Sequence, residues 1–277
     1  MTAESPAISA PGSAIKLVYT DLDGTMVGPG GCFFRAEDRS VTLEPSHVLA
    51  ELLASDVVLV LVSGRTQVQL QEACGIFGAD GYVAELGAVV GWDRGRSRHL
   101  LRGAMPAELD AIPDTLVSAF LADYAGRLEF HDPWHEGHQL DVMLRGEIDP
   151  VEADAWFASR GAGWLRMHDN GLLPPRATPR LQVDELHVYH LVPEGIDKGQ
   201  AVAYDIARRG LRPEQAIAIG DSASDLAMAP HVARFHLMAN GARSALVRER
   251  AMALGNAVIE RGTLGAGWSS AVRSAFG

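Results

Sequence analysis

The sequence predicts an α/β protein: a buried parallel sheet with helices on both faces, split by an inserted α+β unit. Three observations carry this. Apolar, β-rich runs at 15–20, 57–62 and 215–219 each stop at acids, a hydroxyl or glycine, as strands buried on both faces do. Helical patterns alternate with them, which calls for parallel pairing through crossovers. Between residues 92 and 191 the alternation breaks, and it resumes after Pro193.

Taken in order, residues 1–14 are small and Pro-rich and read as a loose tail. The first strand, 15–20, runs into Asp21-Leu22-Asp23-Gly24-Thr25. A helix near 45–54 leads to the strand 57–62, which ends at Ser63-Gly64-Arg65. A helix over 66–73 and short strands within 81–90 come next. The inserted unit, 92–192, carries a helix near 113–124 and strand-like runs at 127–131 and 139–145 around a Pro- and Gly-containing turn. A helix near 150–159, a Pro-rich loop at 173–179 and strands through Val192 complete it. Such a pattern favours an antiparallel sheet. The core, 15–91 and 193–277, then continues with a helix at 199–209, the strand 215–219 and a helix opening at 224–229.

Composition narrows the function. A chain of 277 residues is long for one hydrophobic core. Hydrophobic residues at 47% against 21% charged give the balance of a soluble protein. A net charge of -11 disfavours a general nucleic-acid or membrane binder. No apolar run is long enough to cross a bilayer, and the start does not read as a signal peptide. Cys32 and Cys74 give neither a disulfide framework nor zinc spacing, which fits a reducing cytoplasm. Of the 24 Lys and Arg residues, only Lys16 and Lys198 are lysines. In a chain that writes its cations as arginine, a lysine marks a place where a compact ammonium is wanted.

The chemistry lies at the strand ends. Asp21 and Asp23, then Ser63, then Asp221 and Asp225 come directly after three buried strands, and open parallel sheets bind ligands outside those carboxyl ends. Four gathered carboxylates repel each other and any anionic substrate. Mg²⁺, which takes oxygen ligands, removes that conflict. Asp21, held rigidly after its strand, can attack phosphorus. Asp23 can protonate the leaving alcohol and later deprotonate water, while its carbonyl faces the metal. Gly24 permits a tight turn, and the Thr25 hydroxyl can orient Asp23 or the phosphate. Ser63 and the Gly64 amide open a helix, a natural anion site. Lys198 neutralises charge developing on the transferred phosphoryl group. Asp221 is the metal acid, Asp225 one turn on binds the metal or its waters, and Ser224 can donate to the phosphate.

These pieces, DLDGT at 21–25, SGR at 63–65, the lysine of GIDKG at 195–199 and GDSASD at 220–225, resemble the haloacid dehalogenase (HAD) phosphohydrolase superfamily in order and spacing. The insertion between SGR and the lysine resembles the type IIB cap of Cof-like, sucrose-phosphate and mannosyl-3-phosphoglycerate phosphatases. The resemblance implies a Rossmann-like core, a mobile cap and Mg²⁺. It also implies the roles given above for Asp21, Asp23, Ser63, Lys198 and Asp221. Beside these, the candidates are Asp225 with Asp21, Asp23 and Asp221 for the metal, and Leu22, Thr25, Gly64 and Ser224 with Ser63 and Lys198 for the phosphate. Two positions depart from the family pattern: Ser224 and Leu86 stand where many members have Asn.

The inserted unit carries a polar cluster around His131, Trp134, His135, His138, Asp141 and Arg145. A solvated hairpin end and a substrate-reading face both suit it. On the run from Gln139, alternation puts Leu140, Val142 and Leu144 on one side and Gln139, Asp141, Met143 and Arg145 on the other. If the second side looks onto the core, it could read the leaving group, and His131, Asp141 and Arg145 are the candidates for substrate contact. His190, on the strand returning to the core, is a further candidate, for which packing and hinge roles serve equally well. The expected activity is hydrolysis of a small phosphate monoester, a sugar phosphate or glycosyl-phosphoglycerate. A phosphomannomutase-like phosphotransferase and a non-catalytic phospholigand binder are the alternatives.

Overall fold

The computed structural model describes residues 15–173 and 180–276. The expected tail at 1–14, and all but Leu173 of the Pro-rich loop, lie outside the described residues.

Strands β1 (Leu17–Asp21), β2 (Val58–Val62), β3 (Gly81–Ala84), β4 (Val89–Trp92), β5 (Ser97–Leu100), β10 (Ala216–Gly220), β11 (Arg234–Leu237) and β12 (Ala257–Ile259) form one sheet, in the order β12-β11-β10-β1-β2-β3-β4-β5. Pairing is parallel from β12 to β3 and antiparallel at β3-β4 and β4-β5. Strand β5 lies within the stretch 92–192 expected to form the inserted unit, yet it pairs with β4 and belongs to the large sheet. A tight turn at Asp93–Gly95 lets the chain double back before it leaves.

Period-two alternation explains the layering. On β1, Val18 packs with Val48 and Leu52 of helix α1 (Glu44–Leu53), Leu70 and Cys74 of α2 (Gln67–Phe77) and Trp268 of α7 (Leu264–Arg273). Leu17 and Tyr19 face the other way, onto Ala201, Val202 and Ile206 of α5 (Lys198–Arg208) and Val247 and Ala251 of α6 (Ala245–Ala253). Both faces are covered, so these central strands are apolar throughout rather than alternating.

The second sheet is antiparallel, in the order β6 (Leu128–Phe130), β7 (Val142–Gly146), β9 (His187–Pro193) and β8 (Leu165–Leu172). Helices α3 (Asp114–Asp123) and α4 (Pro150–Ser159) cover one face. Phe120, Trp156, Phe157, Leu144 and Tyr189 make a core of their own there. The opposite face of β7 and β9 is turned toward the carboxyl ends of the large sheet. Strand β7 starts three residues later than the alternation from Gln139 predicts, because Glu85 of the large domain captures the Gln139 and Leu140 amides at 2.7 and 3.1 Å. Leu140 accordingly packs into the core of the large domain rather than beside Leu144.

Candidate active site

Strands β10, β1 and β2 are neighbours, and each ends at a chemically active residue. Asp21 closes β1, Ser63 comes after Val62 of β2, and Asp221 comes after Gly220 of β10. Lys198 opens α5, whose N-cap Asp197 accepts the Gln200 amide at 2.8 Å. Lys198, Asp21 and Asp225 are almost wholly buried. The Lys198 Nζ donates to Asp21 Oδ1 at 2.9 Å and to Asp225 Oδ1 at 2.6 Å.

Asp21, Asp221 and Asp225 each offer an oxygen within 4.8 Å of the others. Burial pushes the Asp21 carboxyl well above the usual range; Lys198 pulls it back in part, and Asp225 and Asp221 push it up again. Asp221 is pushed up to about 7, by burial first and then by the Asp225 charge. Lys198 moves upward too: burial works against its charge, but Asp21 and Asp225 outweigh it. Three carboxylates facing one ammonium leave a surplus of negative charge in a dry site. That donor set of hard oxygens fits a divalent cation such as Mg²⁺.

The loop 21–28 is shaped by Gly24, at φ +88°, where an added Cβ would lie 2.3 Å from Asp221 Oδ2. Asn240 ties the parts together, donating to the Gly24 carbonyl at 2.8 Å and to Asp221 Oδ2 at 2.9 Å. Thr25 is buried and donates to Asp221 Oδ1 at 3.3 Å, so its hydroxyl orients Asp221 rather than Asp23. The Leu22 side chain is in the core, and its carbonyl accepts the Thr25 and Val27 amides.

Other expected residues also sit differently. Ser63 and Gly64 do not open a helix: α2 begins at Gln67 behind a capping box of Thr66 and Gln69, which satisfies the first amides three residues later. The segment after Ser224 is a short 3-10 helix, Asp225–His231, with Pro230 inside, so a full α-helix does not form there. Asp225 has both oxygens engaged: Oδ1 takes Lys198, and Oδ2 accepts from the Asp221 and Ser222 amides and the Ser222 hydroxyl. It builds the loop that carries Asp221. The Ser224 hydroxyl meets Ser222 at 2.9 Å and Asn170 of β8 at 3.3 Å, bridging the two domains. Asp23 lies outside the carboxylate cluster, and its side chain is 53% exposed in the grip of Arg65.

A cavity of about 620 Å³ lies between the domains. Asp21, Asp23, Ser63, Gly64, Lys198 and Asp221 line its floor, and His131, Trp134, His138, Met143 and His190 line the side opposite. Two of the four candidates in the inserted domain, His131 and His190, thus reach the cavity. Asp141 stands behind it, with Oδ2 at 2.6 Å from His190 Nδ1 and 3.1 Å from His138 Nδ1. Arg145 is turned away: its guanidinium holds Glu129 at 2.7 Å and the Asp132 carbonyl at 3.2 Å. Ser222, Asn240 and Glu85 are not singled out by sequence reasoning, which reads Arg65 as structural. Arg65 and Ser222 sit inside the SGR and GDSASD runs, and Glu85 is the lone acid of an apolar stretch. Asn240 carries no sequence signal.

A parallel sheet with acids at three adjacent strand ends, a lysine between two of them and an inserted domain closing the cavity defines a class of phosphoryl-transfer enzyme. The chain is similar to the haloacid dehalogenase-like hydrolases. Residues 174–253 match that family's profile. A phosphoglycolate phosphatase of Methanoculleus marisnigri is 24% identical over 218 residues, 77% of this chain and 80% of that protein. In fold, the chain is similar to the sucrose-phosphatase of Synechocystis sp. PCC6803, solved with sucrose and phosphate (TM-score 0.66, 16% identity, 95% of this chain and 99% of that one). It is also similar to a HAD subclass IIB sugar phosphatase (TM-score 0.62, 16% identity, 94% and 98%). No helix among the described residues is long and apolar enough to cross a membrane.

Proposed function

We propose that the chain is a Mg²⁺-dependent phosphomonoesterase that works through an aspartyl-phosphate on Asp21. The observation that carries this is the buried contact between Lys198 and Asp21 on the cavity floor, beside Asp221. Lys198 fixes one Asp21 oxygen, which leaves the other to form a bond to phosphorus as the bond to the leaving alcohol breaks. Asp23, protonated on one oxygen while Arg65 keeps hold of the other, gives that alcohol a proton. The same group then takes a proton from the water that cleaves the acyl phosphate, freeing phosphate and restoring Asp21. Ser63 and the Gly64 amide stand beside this path and hold phosphate oxygens. Asp21, Asp221 and the Asp23 carbonyl would hold the cation, with Asp225 bracing Asp221 behind them. When bound, Mg²⁺ supplies positive charge to the phosphoryl oxygens.

The cavity suits a small metabolite and excludes a folded macromolecule. The sugar phosphatases of similar fold favour a sugar phosphate, whereas the phosphoglycolate phosphatase relative points to a smaller, carboxylated ester. Phosphate release from a panel spanning both, with Mg²⁺, tests the reading alongside Asp21→Asn. Full activity in that variant would sink it.

A further inference from the structure

The turn Glu85–Gly87, between β3 and β4, takes no part in the chemistry proposed above, yet it meets two of the segments that carry it. The Glu85 amide donates to the Arg65 carbonyl at 3.0 Å, and the Leu86 amide to the Ser63 carbonyl at 3.4 Å. Gly87 lies against the start of α5: an added Cβ would be 2.2 Å from the Asp197 carbonyl oxygen and 3.3 Å from the Lys198 nitrogen.

The turn is held in a costly conformation. Glu85 and Leu86 both stand at φ +53°, and Gly87 at +118°. Glycine takes such angles freely; glutamate and leucine do not. Two side-chain-bearing residues in succession at positive φ persist only where their surroundings hold them there. Both are buried, and part of the hold comes from the inserted domain. Glu85 Oε2 accepts the Gln139 and Leu140 amides at 2.7 and 3.1 Å, at the entry to β7. Those amides need only an acceptor, which the carboxyl offers in either charge state. One residue thus joins the inserted domain, through its side chain, to the Arg65 carbonyl, through its amide. Arg65 in turn grips Asp23.

Resting on the phosphatase reading above, we infer that Glu85 is a positioning residue for protonation of the leaving group. The inserted domain, seated on the Glu85 carboxyl, holds the turn in its strained form. The turn holds the Arg65 backbone, and Arg65 holds Asp23 in line with the leaving oxygen. Loss of the Glu85 contact lets the turn relax toward negative φ, which draws its amide off the Arg65 carbonyl.

The test compares kcat/KM for benzyl phosphate and p-nitrophenyl phosphate, with Mg²⁺, in the wild type, Glu85→Ala and Glu85→Gln. The two esters are alike in bulk, but benzyl alkoxide needs a proton to leave and p-nitrophenolate does not. This constant ends at departure of the leaving group, so later hydrolysis of the acyl phosphate does not enter it. Glu85→Ala is expected to lose about tenfold or more on benzyl phosphate and less than about threefold on p-nitrophenyl phosphate. Glu85→Gln keeps an acceptor oxygen for both amides and should stay within about threefold of the wild type on both esters. A merely loosened protein loses both esters alike, so equal losses overturn the inference. No loss in Glu85→Ala, or a Glu85→Gln as defective as Glu85→Ala, overturns it too. If Glu85→Ala does not fold, Glu85→Asp, a methylene short of the amides, is read in the same way. A wild type that hydrolyses neither ester instead overturns the phosphatase reading itself.

Discussion

Arg65 grips Asp23 with two nitrogens, Nε at 2.7 Å and Nη2 at 2.6 Å, one to each carboxylate oxygen. The fork joins the loop after β2 to the loop after β1. Both side chains are part-exposed, at 33% and 53%, so the pair contributes little to stability. Its consequence is aim: a two-point contact fixes the plane of the carboxylate, which a single ammonium cannot do. Arg65→Lys is therefore expected to lower kcat by about ten- to a hundredfold, the scale of a misplaced catalytic group. The melting temperature should barely move. Unchanged steady-state kinetics would show that Arg65 only decorates the rim.

Asp221 and Asp225 stand four residues apart and are expected to respond oppositely to loss of charge. Asp225 is enclosed and satisfies Lys198 and three donors of the Asp221–Ser222 turn. Asp225→Asn leaves a buried ammonium short of charge and sets an amide NH₂ against donors. A destabilisation of about 3–5 kcal/mol is expected, read from urea unfolding. Asp221 takes only the Thr25 hydroxyl and the Asn240 amide, and its charge adds to that of Asp225. Asp221→Asn should melt no lower than the wild type without metal, yet should lose the upward shift that Mg²⁺ gives the wild type. Equal Mg²⁺ stabilisation of both proteins would remove Asp221 from the metal site.

The floor of the cavity was legible in the sequence because strand ends are local. Runs such as Val58–Val62 declare burial on both faces, and the residues directly after them lie by topology at the carboxyl edge of the sheet. The inserted domain was harder. Alternation from Gln139 gives the right faces for Met143 and Leu144, but where the strand begins is decided by Glu85, 54 residues earlier in the chain. Arg145 shares the parity of Met143 and still turns aside, because Glu129 on the neighbouring strand offers a nearer partner. Asn240 shows the limit from the other side: its role exists only through the Gly24 carbonyl and Asp221, 216 and 19 residues away respectively.

Gly24 links backbone conformation to the site. At φ +88° a side chain is disfavoured, and the space is taken by the Asp221 carboxylate. Gly24→Ala forces the loop and Asp221 apart, and a shift of about an ångström in such a site costs on the order of a hundredfold in rate. The expected result is a folded protein with a weakened Mg²⁺ response and strongly reduced kcat. Wild-type activity in Gly24→Ala would mean the loop and Asp221 move independently.

Asp141 ties the architecture of the inserted domain to pH. Burial pushes its carboxyl up, but the His190 and His138 imidazoles outweigh burial and bring it down to about 2. An unfolded aspartate titrates near 3.9. A carboxyl with a depressed folded pKa stabilises the protein fully above the unfolded value, and that stabilisation is lost as pH falls through the folded one. The window is therefore between about pH 4 and pH 2, and the amount at stake is roughly 2–3 kcal/mol. Urea midpoints measured from pH 6 down to pH 3 should fall more steeply below pH 4 in the wild type than in Asp141→Asn, whose curve starts lower and runs flatter. Parallel curves would mean that Asp141 binds its two histidines no more tightly as an anion than as an acid.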